Sequence, residues 1–147
     1  MKSTLSLIAV TTSMVLSLFV MSCGKKDTAA SLSDEMLTQM EELITAIESA
    51  KDKESAEKSA TRIDEIGDEL VAIAGRLDAL GEPSEEDKKL VKEKMDKAEQ
   101  DNKERMMAAM KNIMGNQEVG AILGTAMEAF GKKMDGVEDT FKKYGKD

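Results

Sequence analysis

Cysteine and methionine are the residues of this chain whose types and spacing could do chemistry. Cys23 is the only cysteine in 147 residues. It closes the run Val20-Met21-Ser22-Cys23 behind an apolar stretch. A thiol can serve as nucleophile, metal ligand or modification site, and its surroundings decide among these. Twelve methionines are present, nine of them after Cys23. Met106, Met110 and Met114 fall four apart, on one face of a helix, with Met107, Met127 and Met134 expected near them. Thioethers suit Cu(I). Soft-metal sites of that kind usually add His or Cys, and the chain has no histidine. Methionine is also an adaptable core filler, and core packing is the role expected of these residues.

Other patterns carry less. Ser55-Ala56-Glu57-Lys58 matches the Ser-x-x-Lys spacing of serine-type penicillin-binding enzymes, but the accompanying Lys-Thr-Gly and Ser-Asp-Asn elements are missing. Di-iron helical bundles need Glu-x-x-His pairs, which a chain without histidine cannot supply. No Gly-rich phosphate loop or EF-hand loop is present. Asp and Glu come interleaved with Lys, the pattern of solvated helix faces. The sequence therefore assigns no catalytic, cofactor-binding or metal-ligating residue, and the chain is expected to be no enzyme and to need no cofactor.

The N-terminus is more telling. Residues 1–22 carry one charge, Lys2, then an apolar stretch from Leu5 to Met21, then the small residue Ser22. That order is the layout of an export signal. Together with Val20-Met21-Ser22-Cys23 it resembles the lipobox of bacterial lipoprotein precursors. The resemblance covers residues 1–24 and implies lipidation of Cys23 with cleavage just before it. Such a cysteine carries a diacylglycerol thioether and usually an N-acyl chain, such as palmitate, and two or more chains make anchoring stable. Gly24 follows instead of the Asp that often retains such proteins in the inner membrane. The implied address is the periplasmic face of the outer membrane, with the thiol consumed by the lipid.

Cleavage there would leave 125 residues, enough for one domain with a core. Losing Lys2 from 21 basic residues leaves 20 against 29 acidic ones, a net charge of −9. An acidic chain without a basic patch argues against nucleic acid as a partner.

Helices must position whatever chemistry there is. Residues 23–32 read as a lipidated polar tether and 33–147 as the helical domain. One proline, few aromatics and abundant Ala, Glu, Lys, Leu and Met favour helix throughout. No stretch alternates as a strand does. Ser33 is expected to cap helix 1, whose stripe is Met36, Leu37, Met40, Leu43, Ile44 and Ile47. Lys51-Asp52 is expected either to separate helix 2, with Asp52 as its cap, or to kink one long helix. Helix 2 carries a seven-residue repeat at Ile63, Ile66, Leu70, Ile73, Leu77 and Leu80, expected to pack inside the chain and not along a second copy. Gly81 and Pro83 end it, and Ser84 with Asp87 open helix 3. Helices 2 and 3 are expected to form an antiparallel hairpin.

Helix 3 places acids four residues before bases in Glu85–Lys89, Glu93–Lys97, Glu99–Lys103 and Asp101–Arg105. Its apolar side runs through Val91, Met95, Ala98, Met106, Ala109, Met110 and Ile113, interrupted by Asn102. Gly115-Asn116 starts helix 4, whose first half holds one charge, Glu128. Such a helix is expected at the centre of a bundle. Gly120 and Gly124 space a close helix approach, and Val137, Phe141 and Tyr144 continue the stripe.

The sequence thus predicts an all-α fold, an antiparallel bundle of three to four long amphipathic helices. The function expected is that of a lipid-anchored, non-enzymatic envelope protein. It would act through contact with an unknown envelope protein, or through self-association, as an accessory or structural factor. The alternative is a periplasmic binding module or chaperone-like protein. That module would use a Met-lined apolar face to hold an apolar ligand, an unfolded segment or Cu(I). Small helical lipoproteins of the outer-membrane scaffold type resemble the chain in style, without a shared residue motif.

Overall fold

The four long helices each begin at a side-chain cap. The structure, a computed structural model, describes residues 26–145. The expected signal segment 1–22 and Cys23 lie outside them. Helix α1 spans Ala29–Ser49, α2 Lys53–Ala79, α3 Glu85–Gly115, α4 Gln117–Asp135 and the short α5 Glu138–Lys143. Asp52 accepts from the Ser55 amide at 2.8 Å, and Ser84 accepts from the Asp87 amide at 3.1 Å. Both are full capping boxes, as the sequence predicts for Ser84. Gly81 turns the chain after α2 with φ +85°, a conformation that glycine adopts without strain. Asn116 ends α3 and caps α4 with one side-chain oxygen.

The first helix begins earlier than Ser33. Thr28 caps it, exchanging hydrogen bonds with Ser31, so residues 29–32 belong to the helix and not to a tether. Ser33 is fully buried and donates its hydroxyl to the Ala30 carbonyl at 2.8 Å. A serine that bonds back into the preceding turn no longer needs to cap.

The expected all-α bundle forms, with successive helices alternating in direction. Its neighbour relations are less expected. Helix α1 packs between α2 and α3, while α2 packs between α1 and α4. Helices α2 and α3, expected to form a packed hairpin, scarcely touch. After the Gly81 corner α3 crosses to α1 and runs parallel to it, with Lys94 bonded to Asp34 and Arg105 to Glu48. Helix α4 runs parallel to α2, with Glu118 by Lys53 and Lys133 by Asp64.

The helix 2 repeat is the spine of the core. Ile63, Ile66, Leu70, Ile73 and Leu77 are all buried within the chain, and only Leu80 opens to solvent. Helix α4 is not the central element. Among its residues only Val119 and Leu123 are fully buried, whereas Ala121, Gly124 and Ala129 are exposed. Its apolar look comes from small residues, which expose little area and so lose little by facing water. Gly67 lets α4 approach α2 closely: a Cβ there would lie 2.9 Å from the Lys133 side chain and 3.4 Å from Phe130.

The last stripe also breaks. Gly136 ends α4, and α5 folds back so that Tyr144 is buried. Its hydroxyl donates to the Leu77 carbonyl at 3.1 Å, and Lys143 pairs with Asp78 at 2.6 Å. No helix among the described residues is long and apolar enough to cross a membrane.

Candidate functional site

Rotation of α3 about its axis decides which side chains this protein offers to others. Buried Val91 and Ala109 mark the helix's inward face, and cross-helix cations tie it to α1. Lys94 donates to Asp34 at 2.5 Å and to the Ala30 carbonyl at 3.3 Å. One helical region further on, Arg105 forks onto Glu48, with Nε to Oε1 at 3.2 Å and Nη2 to Oε2 at 2.7 Å. The Arg105 guanidinium holds the Glu48 carboxyl below its ordinary range, so this pair stays charged through mildly acidic pH. Bidentate geometry fixes orientation as well as distance.

These ties commit Arg105 to α1 instead of Asp101, one of the four expected pairs within α3. The other three are also missing among the described ion pairs, where Lys88–Glu85, Lys89–Glu93 and Lys92–Asp96 form instead. A tertiary partner took Arg105, and the local pairs that form are one acid-before-base pair three apart and two base-before-acid pairs four apart.

With α3 held this way, Val91 and Ala109 are buried, and Met95 and Ile113 are packed against the core. Met107, Met110 and Met114 face out, at 63%, 46% and 77% exposure. The core role expected for Met110 and Met114 is therefore corrected: they form a ridge open to solvent. Met106 is half-buried beside it. Met127 and Met134 sit on α4, packed against the core and not on this ridge.

Beside the ridge lies a groove of about 380 Å³ between α1 and α3. Met40, Leu43 and Ile44 form its α1 wall, and Met95, Met106 and Met107 its α3 wall. Asn102, read in the sequence as an interruption of the apolar side, lines it too. Most large side chains of this bundle are buried, so a run of open methionines beside an apolar groove is the clearest interaction surface here.

The remaining sequence patterns resolve into structure. Ser55 bonds Asp52 in the α2 capping box, and Lys58 pairs with Glu54 at 2.7 Å, so the Ser-x-x-Lys pair does not act together. A Cβ on Gly120 would lie 2.9 Å from the Ile113 carbonyl, so Gly120 does serve close approach at the α3–α4 corner. Gly124 has nothing near it. Among the described residues, no group of three or more His, Cys, Asp or Glu could hold a metal ion.

What sequence reading missed is the role of arginine. The chain has only Arg62, Arg76 and Arg105, and each reaches carboxylates on or beside α1: Glu42, Asp27 with Glu35, and Glu48. A signal was available in their scarcity beside abundant lysine, because Arg suits fixed bidentate pairing where Lys does not. Between α1 and α2, Arg62 and Glu42 face each other across an open depression of about 480 Å³. No known family matches the chain, and neither a curated protein nor a solved structure matches it.

Proposed function

We propose that this chain is a lipid-anchored, non-enzymatic helical bundle of the cell envelope that works by contact with another protein. The observation that carries this reading is the open ridge of Met107, Met110 and Met114 beside the α1–α3 groove. Methionine is flexible and polarizable, which suits surfaces that must fit a partner. The anchor is supported by residues 1–22 and by Cys23, with the outer membrane as its address.

Anchor and ridge would stand at opposite ends of the molecule. The chain enters α1 at Thr28, and Asp27 is held by Arg76. Helix α1 has 21 residues, a length of about 31 Å. Arg105 meets the far end of α1 at Glu48, and the ridge lies beyond it along α3. A partner would thus be met away from the membrane surface.

A second reading is favoured by the groove itself: it would hold an apolar ligand or an unfolded segment, as a chaperone-like module does. In-cell crosslinking of the tagged full-length chain, followed by affinity purification and mass spectrometry, separates the two. One dominant heterologous partner crosslinked at 103–114 is the expected result. Many partners without a dominant one would favour the chaperone-like module. Self-crosslinks alone would turn the reading into a structural scaffold.

A further inference from the structure

We propose that Met107, Met110 and Met114 form a binding site for one soft monovalent cation, Cu(I), held by three thioether sulfurs. The three residues are three and four positions apart on one face of α3 and all are open to solvent. On a helix such neighbours have Cβ atoms about 5–6 Å apart. Methionine's three rotatable bonds then let the outer sulfurs swing toward that of Met110. Flexibility suits these side chains to a contact surface, but leucine would supply the same apolar bulk without sulfur. Coordination of a soft metal is what thioethers add.

The position on the helix also favours a cation. Met114 lies in the last turn of α3, at the negative end of the helix dipole, and that turn holds no basic side chain. Lys103 stands a full turn before Met107, away from that end. The exposed Lys111, four residues after Met107 and three before Met114, is the cation beside the sulfurs and opposes the dipole's effect. The absence of a His, Cys or carboxylate cluster among the described residues leaves harder cations no comparable site. Binding needs no proton release, because a thioether has none to lose. Affinity should therefore stay flat between about pH 5 and 8, where His or Cys ligands would titrate. The site shares its residues with the proposed contact surface but does not depend on the lipid anchor.

The test is competition for Cu(I) between the purified full-length chain in detergent and the chromophoric chelator bicinchoninate, under reducing conditions. Wild type is compared with the triple variant Met107→Leu, Met110→Leu, Met114→Leu, which keeps apolar bulk and removes only sulfur. Both chains also carry Cys23→Ala, so that no thiol can hold the metal or titrate, and the methionines of residues 1–22 are common to both. One Cu(I) per wild-type chain, with affinity reduced about tenfold or more in the triple variant and level across that pH range, is the expected result. Equal affinity in both chains, or a wild type that cannot compete, overturns the proposal. Should the triple variant lose helicity, Met114→Leu alone decides, since a side chain 77% exposed is not needed for folding; unchanged affinity there also overturns it. Partner crosslinks that survive in the leucine variant while Cu(I) binding is lost separate this site from the contact surface.

Discussion

Arg76 on α2 grips Asp27, the second residue ahead of α1, with a two-pronged bond: Nε to Oδ2 at 2.9 Å and Nη2 to Oδ1 at 2.6 Å. The same guanidinium reaches Glu35. The chain is therefore fastened to the end of α2 at a point four residues after Cys23, so a lipid on that cysteine would be joined to the bundle by a short link. Replacing Cys23 by Ala is expected to move the protein from the membrane to the aqueous fraction while helicity by circular dichroism stays the same. A variant that stays with the membrane would sink the lipid anchor.

Acid should loosen these ties with a definite sign. Hydrogen bonds from Arg76 and Arg105 lower the Asp27 and Glu48 carboxyls, and the Ser55 amide and hydroxyl lower that of Asp52. Groups depressed in the folded state stabilise it fully above their unfolded values, near 3.8 for Asp and 4.5 for Glu, and lose that contribution as pH falls through the folded values. With no histidine in the chain, thermal stability should be level from about pH 5 to 8 and fall below about pH 4. Arg76→Gln should make that acid decline shallower. An equally steep decline in the variant would show that Asp27 does not contribute.

The two glycines of the Gly-x-x-x-Gly pair should respond in opposite directions. Gly124→Ala meets open space, so helix propensity alone acts and should stabilise by about 0.5–1 kcal/mol. Gly120→Ala drives a methyl against the Ile113 carbonyl and should destabilise by about 1–3 kcal/mol. Urea melts of both variants measure this, and equal shifts would refute the close approach at the α3–α4 corner.

Tyr144→Phe removes the hydroxyl bond to the Leu77 carbonyl and should lower stability by about 1 kcal/mol. Burial, with Asp87 and Asp78 nearby, raises the phenol above its ordinary value. The tyrosine's stabilising effect is thus complete below about pH 10 and is lost as pH rises through the folded value. The phenylalanine variant should lack that alkaline loss. Stability curves measured up to strongly alkaline pH compare the two.

Met110→Ala should change stability by less than about 0.5 kcal/mol, because the side chain is half open. Leu123→Ala, fully buried on α4, should cost about 2–5 kcal/mol. If Met110 instead behaved like Leu123 in denaturant titrations, the ridge would be core and the contact surface would be lost with it. Partner capture by the folded Met110→Ala chain should fall.

Local chemistry made much of this legible from the sequence. Asp52, Ser84 with Asp87, Gly81 with Pro83, and Asn116 mark helix ends because caps and breakers act within a few residues of themselves. The helix 2 repeat announced burial because a stripe that long must be covered. The start of α1 was misplaced because Thr28 and Ser33 are both good caps, and only packing around Ser33 decides between them.

The tertiary structure alone decided which helix does the covering. Hydrophobic burial is non-directional, so a stripe does not specify its partner. Long-range pairings such as Arg105 with Glu48, and close approaches such as Gly67 against Phe130, put α3 on α1 and α4 on α2. That choice turned Met110 and Met114 outward and left α4 at the periphery. The sequence by itself determined the long helices and most of their ends, and it supplies the candidate lipidation at Cys23. The start of α1, the break before α5 and the surface offered to other molecules arose only when distant residues were brought together.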